Sequence, residues 1–190
     1  MKGIKIIILN NLVAMAMVLM VSSANFALEF NISVIDGLLY LPTGARLGAL
    51  LIFGLSAFPG ILAGTLLASI IYFDPASMHA DIATYHALAD ASAPFVALLT
   101  MQQFKLSNFY TTKSIYYPHV IFLCILTTLF ASFSRFLIVV KVEHGMPEMF
   151  SFSSYMGSLL LGNLLGTLVF FTILIFITQA FSEHIKQTKG

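Results

Sequence analysis

The chain has 190 residues, 59% hydrophobic and 9% charged, with a formal net charge of +1. Water-soluble domains carry roughly a quarter charged residues, so this composition excludes a soluble catalytic domain and fits a chain whose solvent is the bilayer. No basic stripe points to nucleic acid, and the single cysteine, Cys124, excludes an internal disulfide.

No run of alternating residues bounded by turns suggests a barrel, so helices are the spanning elements. The expected fold is all-α: one polytopic integral membrane helical bundle over residues 1–190, with about six transmembrane helices. No internal repeat is visible.

The first apolar segment covers about residues 4–27. Lys2 and Lys5 before it and Ser22-Ser23-Ala24 near its end imitate a cleavable signal peptide. The run outlasts a signal core and has no clear polar break, so a retained span is expected. Asn10 and Asn11 are expected to hydrogen-bond neighbouring helices.

The second and third segments, about 36–54 and 57–73, are divided by two Pro-Gly joints, Leu41-Pro42-Thr43-Gly44 and Phe58-Pro59-Gly60. Proline is tolerated in the first turn of a helix, so Pro42 and Pro59 read as the starts of two successive helices. Gly44 and Gly48 form one small-xxx-small pair, and Gly60 and Gly64 another. Such faces admit close helix contact in lipid, so a tight hairpin packed through these four glycines is expected. Arg46 then falls in or near the first turn of its helix.

The fourth segment, about 82–104, is the most polar and holds His86, Asp90, Ser92 and Pro94. His86 and Asp90, spaced i, i+4, could pair on one helix face. The fifth, about 115–140, contains Cys124 and Arg135. The sixth, about 151–181, contains Asn163 within a third glycine pair, Gly162 and Gly166, and is long enough to tilt or to project beyond the membrane.

Lysines set the expected orientation. Lys2 and Lys5, Lys105 and Lys113, and Lys186 and Lys189 fall on one side, with only Lys141 opposite. Both termini are therefore expected in the cytoplasm. The acids Glu29, Asp36, Asp74, Asp81, Glu143 and Glu148 then lie outside, and Glu183 inside.

A charge at the bilayer centre costs about 2.5–3.5 kcal/mol on insertion scales, so it must face protein or water. By depth alone Arg46, Asp90, Arg135 and Asn163, on four different helices, fall in one layer. One reading makes that layer an outward-facing pocket in which the arginines bind an anionic or polar ligand, aided by the free N–H groups of a helix starting near Pro42. The other pairs Arg46 or Arg135 with Asp90, or lets Arg135 snorkel to the interface. For Arg135 snorkelling is the expected outcome; for Arg46 both readings stand.

His79 and His86 share a face but lack a third ligand, so no metal is expected. Gly54-Leu55-Ser56-Ala57-Phe58 lacks the closing glycine of a nucleophile elbow and has no acid–base partner. No catalytic residue, enzyme activity or cofactor is expected.

The stretch "YLPTGARLGALLIFGLSAFPGILAGTLLASI" resembles the hallmark segment of bacterial membrane-associated sensor domains of the MASE type, first-described class. Those domains carry a Trp-Pro-Pro-x-Gly opening, an apolar helix, then Trp-Pro-Gly and a small-residue helix. The corresponding residues are Leu41-Pro42-Thr43-Gly44, then Phe58-Pro59-Gly60 with Gly64 and Ala68. Gly162-Asn163-Leu164-Leu165-Gly166 resembles the family's late Gly-Asp-x-x-Gly helix, with Asn163 in place of the acid. The chain has no tryptophan.

The resemblance implies a sensor-like module in a bacterial inner (cytoplasmic) membrane, without an output domain. It would pass its state to a membrane or cytoplasmic partner protein and would recognise a small ligand. Two other expectations stand beside it. One is the substrate-binding membrane subunit of a vitamin-type transporter, with an energising complex docked on small-residue faces. The other is an assembly or structural subunit of a membrane complex.

Overall fold

Proline opens two of the helices. In the computed structural model, α1 spans Lys2–Asn31, α2 Leu41–Phe53, α3 Phe58–Tyr72, α4 Ala80–Gln103, α5 Tyr117–Lys141 and α6 Phe152–Gln187. Pro42 and Pro59 both sit in the first turns of their helices, α2 and α3, where a missing N–H costs no helical bond. The described residues are 2–31, 39–72, 80–106, 117–141 and 152–187. His79, Lys113, Lys189, Asp36, Asp74, Glu143 and Glu148 lie outside them, as do the side chains of Lys2, Asp81, Glu183 and Lys186. Most of the charges behind the expected orientation therefore fall outside the described residues.

Among the described residues, five stretches are helical, long and apolar enough to cross a membrane: Gly3–Glu29, Leu55–Tyr72, Ile82–Gln103, Pro118–Lys141 and Ser153–Gln179. The molecule is a multi-pass helical membrane protein. The second expected span, residues 36–54, narrows to the 13 residues of α2. At a rise of 1.5 Å per residue that helix is about 20 Å long, against a hydrocarbon core of about 30 Å.

α2 can be short because protein, not lipid, surrounds it. Every residue from Leu41 to Leu50 is buried, and the helix packs chiefly on α6 and α1, with α4 and α5 also touching it. Backbone that is irregular at membrane depth must be satisfied by protein. The start of α2 meets that demand from two other helices. The Tyr40 N–H donates to the Gly162 carbonyl of α6 at 2.9 Å, and the Leu41 N–H donates to Oδ1 of Asn25 on α1 at 2.9 Å.

At the other end of α2, Gly54 adopts a positive φ of 77°, a conformation that favours glycine. It turns the chain through a short 3₁₀ segment, Leu55–Ala57, into α3. Asn11 of α1 fixes this joint: its Oδ1 accepts the Gly60 N–H at 2.7 Å and its Nδ2 donates to the Ser56 carbonyl at 2.9 Å. The expectation that Asn11 bonds a neighbouring helix thus acquires its partners.

The contacts also give the helix directions. Asn11 meets Gly60, and Ser23 meets Tyr72, so α1 and α3 run parallel with α2 returning between their ends. Asp90, early in α4, meets Arg135, late in α5, while Phe95 of α4 stacks edge-on against Phe58 of α3. Thr43, early in α2, meets Asn163 of α6. The six helices therefore alternate in direction.

The glycine pairs serve contacts other than the expected hairpin. A methyl group on Gly44 would stand 2.6 Å from Cβ of Phe170 on α6, and one on Gly48 would stand 2.8 Å from that ring. Gly60 and Gly64 instead face the α1 backbone at Asn11 and Met15. Gly166 lies against the Tyr40 backbone, and Gly162 supplies the carbonyl that Tyr40 uses. α2 and α3 touch each other only sparsely. Each turns its small-residue face to a longer helix, where a close approach buries more surface.

Candidate functional site

Three of the four residues of the polar layer, Arg46, Asp90 and Arg135, form one connected cluster built on a carboxylate. Asp90 of α4 is buried, and Arg135 of α5 holds it with both arms of its guanidinium: Nε to Oδ1 at 2.8 Å and Nη2 to Oδ2 at 2.5 Å. Arg46 of α2 approaches the same Oδ2 with its own Nη2 at 3.2 Å. A bidentate arginine–carboxylate pair adds geometric specificity to charge. Arg135 therefore turns inward to Asp90 rather than snorkelling, because a buried carboxylate lies within reach of its fork.

Tyr40 ties the two arginines together. Its hydroxyl accepts from Arg135 Nη2 at 2.6 Å and from Arg46 Nη2 at 3.2 Å, and it lies 3.4 Å from Asp90 Oδ2 as a donor. The centre of its ring is 4.4 Å from the Arg135 guanidinium carbon and 5.6 Å from that of Arg46, within cation–π range. One aromatic side chain thus contacts two like charges. Sequence reasoning missed Tyr40; its position two residues before Pro42, at a helix start, was the available signal.

Arg46 is the residue left with spare capacity. It is 3% exposed, and Nε donates to Thr65 Oγ1 of α3 at 3.2 Å, yet Nη1 is buried without a hydrogen-bond partner. Guanidinium offers five donors, and an unmade bond to a buried charged group costs more than a neutral one.

Beside it lies a partly open cavity of about 220 Å³ between α1, α2 and α3. Ser22, Asn25, Phe26 and Glu29 line it from one face of α1, and Arg46 from α2. The Ser22 hydroxyl is also buried without a partner. Glu29 Oε1 accepts from Asn25 Nδ2 at 2.7 Å. Free N–H groups of a helix starting near Pro42 were expected to serve an anion; at that end the N–H groups of Tyr40 and Leu41 are taken by Gly162 and Asn25.

Asn163 belongs to a second node. Its Oδ1 accepts from Thr43 Oγ1 at 2.5 Å, and its Nδ2 donates to Ser132 Oγ at 3.1 Å and to the Leu159 carbonyl at 2.9 Å. It joins α2, α5 and α6 without touching the arginines directly. Ser132 lies three residues before Arg135 on α5, one helical turn away, so the nodes are neighbours. His86 is half-buried one turn before Asp90 on α4.

The described residues contain no group of three histidine, cysteine, aspartate or glutamate side chains that could hold a metal ion. Cys124 is buried in the apolar core. No protein-family model matches the chain, no curated protein matches it, and no solved structure matches it.

Proposed function

We propose that the chain is a non-enzymatic sensory or regulatory protein of a bacterial cytoplasmic membrane that binds a small polar ligand at Arg46 and passes its bound state to a partner protein. The observation that carries this reading is Arg46, which lines a cavity and holds a charged Nη1 group that is buried and unpartnered. A structural ion pair has no use for that donor. The alternating helices suit the lysine-derived orientation, with both termini in the cytoplasm and the cavity toward the outer side.

Asp90 supplies a route for the signal. It is shared by Arg46 of α2 and Arg135 of α5. An anionic group on Arg46 competes with Asp90 for that cation, loosening α2 from α4 while the α4–α5 link through Arg135 persists. A ligand shifts an equilibrium only by its differential affinity for the two arrangements, and this exchange of partners is such a difference. The resemblance of the Pro42–Gly64 segment to the MASE-type sensors supports the same class. The transport alternative relied on small-residue faces for docking, and Gly44, Gly48, Gly60, Gly64 and Gly166 meet residues of this chain.

Native mass spectrometry of the protein, extracted in mild detergent from its own membranes, tests the reading. Wild type is expected to carry a small non-lipid or lipid adduct, and Arg46→Gln to lose it while remaining folded. Wild-type protein that is pulled down stoichiometrically with a membrane complex, and carries no adduct, would instead establish an assembly subunit.

A further inference from the structure

Resting on the reading of Arg46 as a ligand anchor, we infer that the cavity takes a small zwitterion, its oxyanion group on Arg46 and Ser22 and its ammonium group toward Glu29. Three observations converge on this chemistry. Arg46 and Ser22 line the same cavity, at 3% and 8% exposure, and each holds a buried donor without a partner, Nη1 and Oγ. Both suit a carboxylate or phosphate oxygen.

The second observation is the cavity's negative group. Ser22, Asn25, Phe26 and Glu29 recur at the spacing of one helix face, so the α1 wall runs about 10 Å from Ser22 to Glu29. The cation and the carboxylate therefore stand at different heights in one cleft. Phe26 and Tyr72 stack with ring centres 5.1 Å apart and both line it, offering aromatic faces to an ammonium group.

Charge balance is the third. Arg46, Arg135 and Asp90 together carry one net positive charge, and Glu29 brings a carboxylate to the same cavity. Taking a lone ion out of water costs several kcal/mol, and a lone cation would in addition be repelled by the arginines. A ligand neutral overall, with its charges separated, offsets that cost at both ends. At about 220 Å³ the partly open cavity is smaller than a drug-sized pocket, which suits a small ligand. A free amino-acid-sized zwitterion and the headgroup of a zwitterionic lipid share this chemistry.

The test is thermal unfolding of the purified full chain in detergent, with phosphoethanolamine, 4-aminobutyrate and glycine betaine as soluble zwitterions and with inorganic phosphate and ethanolamine as half-ligands. At least one zwitterion is expected to raise the melting temperature more than either half-ligand does. Glu29→Gln and Ser22→Ala are each expected to weaken that ligand by about tenfold or more, the loss of one charge-assisted bond, while the unliganded melting temperature stays close to wild type. Nanodiscs of phosphatidylethanolamine against phosphatidylglycerol separate the sources: stabilisation by the first alone marks a lipid headgroup, and stabilisation by the soluble probe in either lipid marks a free ligand. Equal stabilisation by phosphate and by every zwitterion, unchanged in Glu29→Gln but lost in Ser22→Ala and Arg46→Gln, overturns the zwitterion and keeps the anchor. No stabilisation by any probe or lipid overturns both.

Discussion

Asp90 is held by Arg135 from two directions at once, with Nε on one carboxylate oxygen and Nη2 on the other. Arg46 reaches only the second oxygen, at 3.2 Å. The two arginines are therefore unequal: Arg135 is committed to Asp90, and Arg46 is shared. This inequality governs what their removal does.

Asp90→Ala leaves a buried guanidinium, Arg46, and a half-buried one, Arg135, with a single tyrosine hydroxyl between them. Removing one partner of a buried ion pair costs about 3–5 kcal/mol, because the remaining charge is uncompensated. Asp90→Ala should therefore collapse protein abundance and lower the melting temperature more than Arg135→Gln does. In a double-mutant cycle the Asp90–Arg135 pair should be strongly non-additive, and the Asp90–Arg46 pair less so. Equal coupling energies for the two pairs would contradict the inequality.

Tyr40 provides two separable contributions. Tyr40→Phe removes the hydroxyl that accepts from both arginines but keeps the ring beneath them. Interhelical hydrogen bonds in membranes average about 0.6 kcal/mol and reach about 1.7, so this variant should lose about 1–2 kcal/mol. Tyr40→Ala additionally removes the cation–π contacts and opens a void, and should cost at least about twice as much. Urea unfolding in mixed micelles measures both; a phenylalanine variant as damaging as alanine would place all of the effect in the hydroxyl.

The layer of Arg46, Asp90, Arg135 and Asn163 was legible in the sequence because charge and amide groups in apolar segments are costly, and span position gives depth. Their partners were not legible. Pairing depends on how each helix is rotated, and one sequence carries no facing information for spans that are apolar on most sides. Tyr40 was overlooked for that reason, and Arg135 was expected at the interface because its reach to water could be counted while its reach to Asp90 could not. The proline starts were readable locally. That α2 stops well short of a full span was not, since its shortness depends on being wrapped by α1 and α6.

Asn25 caps a helix on which it does not reside. Its Oδ1 accepts the Leu41 N–H, and its Nδ2 is anchored on Glu29. Asn25→Ala should cost about 0.5–2 kcal/mol, the range of a lost N-cap, and the loss should be local. Hydrogen exchange followed by mass spectrometry should accelerate in the first turn of α2 while α4 and α5 stay protected. Uniform acceleration across the bundle would show that Asn25 supports the whole fold rather than this one end.

The glycines divide into two classes that alanine can tell apart. At Gly60 a methyl would overlap the Asn11 backbone, and at Gly166 the Tyr40 backbone. Backbone cannot swing aside as a side chain can, so both helices would have to separate. Gly157, within α6, meets nothing within 4 Å, and alanine there should add about 0.5–1 kcal/mol through reduced backbone freedom. Gly60→Ala and Gly166→Ala should melt far below wild type, and Gly157→Ala slightly above it.

Asn163 donates as well as accepts, and this decides what an acid in its place would do. Its Oδ1 takes the Thr43 hydroxyl, while its Nδ2 serves the Ser132 hydroxyl and the Leu159 carbonyl. In Asn163→Asp the Ser132 hydroxyl can rotate to become a donor, but the Leu159 carbonyl cannot, and it would face a carboxylate oxygen. A buried carboxylate without a cation is expensive, so the variant should be less stable than wild type at neutral pH. Acidification that protonates the new carboxyl restores a donor toward Leu159 and should narrow the gap. Asn163→Ala, which loses the bonds but introduces no charge, should lack that recovery. Melting temperatures of the three proteins at neutral and acidic pH measure it. A gap between Asn163→Asp and wild type that stays constant with pH would mean that the new side chain reaches Arg135 instead, joining the amide node to the arginine cluster.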